Sequence, residues 1–185
     1  MAVPVPLTPV SGRWLELVAA AVPGGRTVRP DGLHITLRYL GPIEIEDPAP
    51  LLAELGAAVA AAGPFAVRVE GLGAFPSLRR PRAVWMGVTR GREQLVGLGR
   101  LLAPTAPEIR PHCTLARVGS RLGADAVAAL QELAGSPLPP LEFHCEAAAL
   151  FESRPAPRAP NRYRRLGSLP LLRSAPEGPA PEGVE

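Results

Sequence analysis

Two short segments of the chain place a histidine and a threonine two residues apart. They are His34-Ile-Thr36 and His112-Cys-Thr114, separated by 78 residues. Because residues i and i+2 of a β-strand project from the same face, each segment predicts an imidazole beside a hydroxyl, with Ile35 and Cys113 turned towards the core. A neutral imidazole can take a proton from an attacking hydroxyl or water, and an imidazolium can give one to a leaving oxygen. Two such pairs facing one cleft suit the cleavage of a phosphodiester without a metal ion.

Zinc binding and cysteine catalysis are the competing uses of these residue types. His112-Cys113 and His144-Cys145 are sequence neighbours, so on a strand their side chains point to opposite faces and cannot chelate one ion. The chain also has no Cys-x-x-Cys or His-x-x-x-His spacing. A core-facing Cys113 is a poor nucleophile. His144 has Glu146 rather than threonine two residues on, and we expect it to be structural or exposed.

The composition limits the class of protein and its chemistry. The chain has 185 residues, 46 % hydrophobic and 20 % charged, which is typical of one globular domain with its own core. All 20 basic residues are arginine, which excludes lysine Schiff-base and Walker-type lysine chemistry. With only three aspartates, a carboxylate cage for magnesium or calcium is not expected, and we predict no cofactor.

The chain ends and the cysteine count suggest where the protein works. The proline-interrupted N-terminus lacks a basic region typical of a signal peptide, and no run of about 18 apolar residues occurs. Two cysteines are too few for a disulfide framework. We therefore expect a cytoplasmic monomer without a membrane partner. Residues 1–173 should form one bilobal domain, and the Pro-, Gly- and Glu-rich residues 174–185 a disordered tail.

The same offset of 78 residues aligns further pieces of the chain. Each half is predicted to run strand, helix, His-x-Thr strand, helix, strand. The paired segments are the strands 5–10 and 83–88, the apolar helical patterns 14–21 and 95–102, the helices 50–62 and 124–134, and the strands opening near Phe65 and Phe143. We expect Asp47 and Gly123 to precede the later helices. The fold class is thus α+β, a two-lobed pseudo-symmetric duplication in which each lobe has a small, mainly antiparallel sheet with outer helices and the cleft lies between the lobes.

These segments resemble a known family, the two-histidine (2H) phosphoesterase superfamily. The likeness is greatest to its bacterial and archaeal RNA 2',3'-cyclic phosphodiesterases, also called 2'-5' RNA ligases of the LigT or ThpR type. It extends to about Leu172 and rests on four stretches in order: 33–41 (LHITLRYLG), 71–76 (GLGAFP), 81–85 (PRAVW) and 111–117 (PHCTLAR). Residues 2–7, with two prolines, depart from the family's usual opening strand.

The resemblance implies hydrolysis of a terminal 2',3'-cyclic phosphate on RNA to a 2'-phosphomonoester. It makes His34 the proton donor to the departing 3'-oxygen and His112 the acceptor that activates water, while Thr36 and Thr114 hold the phosphate. Three alternatives remain open: reversible 2'-5' ligation of RNA ends, action on small cyclic nucleotides, or a non-catalytic module that binds RNA ends.

Arg117 matches the arginine at the end of the family's second motif. In a regular strand its odd spacing would turn it away from His112, so a bend after Leu115 is required to aim it at the cleft. Otherwise it would be a solvated arginine at the strand end.

Aromatic and basic residues offer further contacts to RNA. Phe75 could line the cleft or pack in the core, Tyr163 could bind substrate, and Trp85 is expected in the core. Two arginine clusters could meet phosphates: Arg79, Arg80 and Arg82, and Arg154, Arg158, Arg162, Arg164 and Arg165. Each single-strand phosphate contacted should lower the affinity by about 0.7 log unit per decade of salt.

Overall fold

Four helices and nine strands make up the described part of the chain, which comprises residues 1–60, 62–154 and 162–172 of a computed structural model. The helices are α1 (Pro9–Ala21), α2 (Ala49–Ala60), α3 (Arg92–Leu102) and α4 (Ala124–Gly135). The strands are β1 (Ala2–Pro4), β2 (Arg26–Thr27), β3 (His34–Thr36), β4 (Phe65–Phe75), β5 (Ala83–Arg90), β6 (His112–Arg117), β7 (Leu141–Cys145), β8 (Ala147–Arg154) and β9 (Arg162–Pro170).

The strands form one curled antiparallel sheet. Its order is β7-β4-β5-β6-β3-β1-β8-β9, and β2 pairs with β6 off this path. The predicted α+β class with two lobes is confirmed, and the two small sheets that we expected are joined edge to edge. The joint is the pairing of β3 with β6, which brings the two His-x-Thr strands side by side in the middle of the sheet.

Each lobe takes helices from both halves of the sequence. α1, from the first half, packs against α4 and β6, whereas α3, from the second half, packs against α2. α2 also lies against β9. Trp14 and Val18 on α1 and Leu95 on α3 are fully buried, because the apolar side chains recur at helical spacing and face the sheet. The two halves are therefore interlocked.

The predicted first strand at residues 5–10 is wrong. β1 ends at Pro4, and α1 begins at Pro9, where Thr8 caps it by accepting a hydrogen bond from the Ser11 amide. A threonine cap followed by proline in the first turn is a strong helix start, and it overrides the alignment by a fixed offset. A strand and a helix still precede each His-x-Thr strand, and the helical patterns 14–21 and 95–102 lie within α1 and α3, but β1 and α1 begin earlier than the offset predicts.

The later helices lie close to where we predicted them. α2 and α4 differ from the predicted ranges by one or two residues at their ends. The Asp47 carboxylate accepts a hydrogen bond from the Ala49 amide at 2.9 Å, and Gly123 is the N-cap of α4. β4 begins at Phe65 as expected, whereas β7 begins two residues before Phe143. The predicted tail, 174–185, lies outside the described residues.

None of the helices among the described residues is long and apolar enough to cross a bilayer.

Candidate active site

The four His-x-Thr side chains lie on one face of the β3–β6 pair. Ile35 pairs with Cys113 in antiparallel register, and both residues are fully buried. The flanking residues therefore share the opposite face, with His34 beside Thr114 and Thr36 beside His112. Side chains opposed in this way have Cβ atoms about 5 Å apart, close enough to touch one small ligand. The structure thus brings together all four of these predicted residues.

Both imidazoles are anchored by the same hydrogen bond. Nδ1 of His34 lies 2.7 Å from the Gly32 carbonyl, and Nδ1 of His112 lies 2.6 Å from the Arg110 carbonyl. A carbonyl can only accept, so each Nδ1 carries the proton and each Nε2 is the atom left for chemistry. The acceptor is in each case the residue two positions earlier, a feature that the histidine–threonine spacing does not reveal.

The surroundings of His34 disfavour its charged form. Burial lowers the pKa of His34 most, the hydrogen bond to Gly32 opposes this effect, and nearby positive charges that include Arg117 lower it further. Desolvation disfavours the charged imidazolium, as does a neighbouring cation. His34 is therefore easier to keep neutral than an exposed histidine, until an anion enters the site.

A β-bulge on β6 turns Arg117 towards the site. In the β5–β6 pair, Trp85 pairs with Thr114 and the preceding residue, Val84, pairs with Ala116, so that Leu115 is the extra residue. Leu115 and Ala116 are consecutive and both fully buried, and Arg117 is exposed on the far side of this change in phase. The required bend is present. Arg117 lines a cavity of about 870 Å³ together with His34 and Thr36.

Aromatic rings flank each imidazole. Tyr163 meets His34 edge to face at 4.8 Å between ring centroids, and Phe151 stacks on His34 at 5.8 Å. Tyr163 and Phe151 also line the cavity. Phe151 was not predicted, because β8 carries no motif that points to the site.

The other imidazole, that of His112, is enclosed in the same way. Phe75 lies edge to face with His112 at 5.0 Å, and Trp85 lies 6.0 Å from it. Phe75 therefore walls the site, which resolves the choice left open by the sequence. The expectation that Trp85 belongs to the core is wrong: it pairs with Thr114 and is only partly buried on the site face. A large apolar side chain is compatible with the core and with the site face, and the strand register decides between these two placements.

The cysteines stand apart from this face. Cys113 points into the core as predicted, and burial raises the pKa of its thiol to about 12. No group of three or more His, Cys, Asp or Glu side chains within residues 1–60, 62–154 and 162–172 could hold a metal ion. His144 is exposed on β7 at the sheet edge, in keeping with its predicted role.

The cavity lining includes an arginine from one of the two predicted clusters but none from the other. Arg164 lines the cavity and pairs with Glu152 at 2.9 Å, and Arg165 lies over the ring of Phe151. Arg154 also pairs with Glu152. In the other cluster, Arg79 and Arg80 are exposed and Arg82 donates to the Gly119 carbonyl. Arg158 and the side chain of Arg162 lie outside the described residues.

Comparison with known proteins places this arrangement in context. The sequence model of the 2'-5' RNA ligase superfamily matches residues 8–156. An RNA 2',3'-cyclic phosphodiesterase of Aeropyrum pernix is 37 % identical over 120 residues, 58 % of this chain and 66 % of that protein. One of Aquifex aeolicus is 29 % identical over 106 residues, 52 % of this chain and 56 % of that protein. The chain thus spans less than two thirds of either relative.

Solved structures are similar over a larger share of the chain. The crystal structure of E. coli LigT complexed with phosphate superposes with a TM-score of 0.66 at 25 % identity, covering 93 % of this chain and 95 % of that one. The curled sheet and its helices are therefore a known architecture.

Proposed function

Because the chain belongs to the 2'-5' RNA ligase superfamily, we propose that it hydrolyses the 2',3'-cyclic phosphate at the end of an RNA to a 2'-phosphomonoester. The observation that carries the proposal is the equivalent pair of imidazoles on one face, each anchored through Nδ1 so that Nε2 is available. The names of the Aeropyrum and Aquifex relatives and the phosphate bound to E. coli LigT support the same chemistry.

In the proposed step, a water oxygen attacks phosphorus while Nε2 of neutral His112 takes the water proton. The bond between phosphorus and the 3'-oxygen breaks, and Nε2–H of the His34 imidazolium donates its proton to that oxygen. The products are a 2'-phosphate and a free 3'-hydroxyl, so protons and charge balance. Two imidazoles perform both proton transfers, and the step needs no metal ion.

The remaining residues stabilise charge on the phosphate. The Thr36 and Thr114 hydroxyls donate to its non-bridging oxygens, and Arg117 supplies a positive charge from the bulge. The bound anion also favours protonation of His34, because it offsets the desolvation and the cations that lower the pKa of that imidazole in the free protein. Binding of the substrate therefore favours the protonated form of His34, which is the proton donor in the proposed step.

The test is hydrolysis of adenosine 2',3'-cyclic phosphate and of a cyclic-ended oligonucleotide in the presence of EDTA, with the product isomer identified by chromatography. We expect the 2'-phosphate from the unaltered protein. His34→Ala and His112→Ala should each lower kcat by about 100-fold or more, the usual contribution of a positioned acid or base.

His144→Ala is the matched control, since this exposed histidine on β7 should leave turnover unchanged. Persistent activity in both His34→Ala and His112→Ala would refute the two-histidine mechanism, and loss of activity with EDTA would refute metal independence. Joining of a 2',3'-cyclic phosphate end to a 5'-hydroxyl end, in which the 5'-oxygen attacks phosphorus and the 3'-oxygen leaves, would instead favour 2'-5' ligation.

A further inference from the structure

Two exposed hydrophobic side chains border the candidate site. Tyr39 and Ile43 are 78 % and 53 % exposed, and both line the cavity that contains His34 and Thr36. Scattered exposed apolar residues are ordinary, whereas two of them on the loop after β3 at the same cavity suggest a ligand with an apolar face. A nucleobase has such a face.

Among the described residues, the ring contacts to the two imidazoles come from four other aromatic side chains, and Tyr39 lies on the segment that follows Thr36. The rings of Phe151 and Tyr163 contact His34, and those of Phe75 and Trp85 contact His112, all within 6.0 Å between centroids. These four rings surround the place where the terminal nucleotide would react. Tyr39 follows Thr36 by three residues, so its Cα can be at most about 10 Å from that of Thr36. It is placed to meet the neighbouring nucleotide.

Tyr39 also stands where two concave surfaces meet. A second groove, of about 550 Å³, runs between the segment 36–39 and the end of α3 with the loop that follows it. Thr36, Arg38 and Tyr39 line both this groove and the site cavity. The Arg38 guanidinium donates a hydrogen bond to the Leu102 carbonyl, which fixes a positive charge on this path. An RNA chain could leave the site along it.

We propose that Tyr39 stacks on the base of the nucleotide immediately upstream of the cyclic phosphate, so that the RNA leaves the site across this ring. The inference rests on the proposed function and deepens it: the substrate is a cyclic-ended oligonucleotide, and a free cyclic mononucleotide uses only part of the site. Stacking on tyrosine tolerates any base, so the preference is for a second nucleotide rather than for a sequence.

The experiment compares Tyr39→Ala and Tyr39→Phe on two substrates, adenosine 2',3'-cyclic phosphate and a dinucleotide ending in a 2',3'-cyclic phosphate. For the dinucleotide we expect Tyr39→Ala to lower kcat/KM by about 5- to 150-fold, the range for loss of one base–aromatic stack. For the mononucleotide kcat/KM should stay within about twofold, because no upstream base is present. Tyr39→Phe keeps the ring and should resemble the unaltered protein.

Leu7→Ala is the matched control, because Leu7 is 60 % exposed and lies outside the cavity lining. An equal fall for both substrates in Tyr39→Ala, or no fall for either, would overturn the proposal. Binding of a dinucleotide with a terminal 2'-phosphate, measured by calorimetry, needs no turnover. If the unaltered protein hydrolyses neither substrate, the proposed function fails, while weaker binding by Tyr39→Ala still supports stacking and equal binding still overturns it.

Discussion

Each imidazole is anchored by a hydrogen bond from Nδ1 to the backbone, and the surroundings of His34 disfavour its protonation in the free protein. His34 is held between Phe151 and Tyr163 and near Arg117, and burial and positive charge lower its pKa. Under the proposed mechanism the same residue must be charged when substrate is bound. The site therefore couples protonation of His34 to the arrival of an anion, and this coupling is measurable.

We predict that NMR titration of the free protein shows His34 with a pKa below that of an exposed histidine. Arg117→Gln should raise this pKa, because it removes a positive charge that disfavours the imidazolium. Inorganic phosphate should raise it as well, since an anion stabilises the charged ring. The His144 resonance, at the sheet edge, serves as the control and should not respond to phosphate. A His34 pKa that is insensitive to both changes would contradict this electrostatic account.

A site residue can be predicted from the sequence when the direction of its side chain depends only on the strand that carries it. His34, Thr36, His112 and Thr114 came from strand alternation, which needs no knowledge of neighbours. The contacts of Trp85 with His112 and of Phe151 with His34 depend instead on which strands pair and in what register. A single sequence does not contain that information in a readable form, so strand alternation alone predicts neither of these two contacts.

At the scale of elements, local irregularities aim the side chains at the site. The bulge at Leu115 directs Arg117, and Gly73 on β4 leaves room for the indole of Trp85 on β5. A Cβ at position 73 would lie 2.3 Å from that ring, and the three nearest atoms at this position all belong to Trp85. The need for a bend near Leu115 could be inferred from spacing, but the space above Gly73 could not, because it belongs to a neighbouring strand.

We therefore predict that Gly73→Ala displaces the Trp85 ring and disturbs the wall beside His112. The overpacking should lower the free energy of unfolding by about 1–3 kcal/mol and reduce kcat/KM for the cyclic phosphate. Gly12→Ala in α1 is the matched control, because the added Cβ has no atom within 4 Å and creates no overpacking. It should stabilise the protein by about 0.5–1 kcal/mol through helix propensity and leave kcat/KM unchanged. Denaturant unfolding and steady-state kinetics measure both. A Gly73→Ala protein as stable and active as the original would show that the ring moves freely.

At the scale of the whole molecule, the duplication does not produce two independent units. One sheet runs through both lobes, and α1 of the first half packs on β6 and α4 of the second. The site lies on the joint, with one His-x-Thr pair supplied by each half. The overall class and its internal symmetry could be predicted from the repeat, whereas this exchange of helices could not, because the repeat says nothing about which lobe a helix joins.

The interlocking predicts that both lobes unfold together and that the site is lost in the same transition. Trp14 on α1 is fully buried, and its indole N–H donates to the Pro139 carbonyl at 3.0 Å across the two halves. Trp14→Phe removes that donor and should cost about 1–3 kcal/mol of unfolding free energy, because the carbonyl loses its partner.

Since the chain has two tryptophans, the variant's fluorescence reports only Trp85, beside the site. Its transition in denaturant should coincide with that of far-UV circular dichroism, which reports both lobes. Glu16→Ala, at an exposed position on the same helix, should leave the midpoint nearly unchanged. Two separated transitions in Trp14→Phe would mean that the lobes fold independently and that the continuous sheet does not couple them.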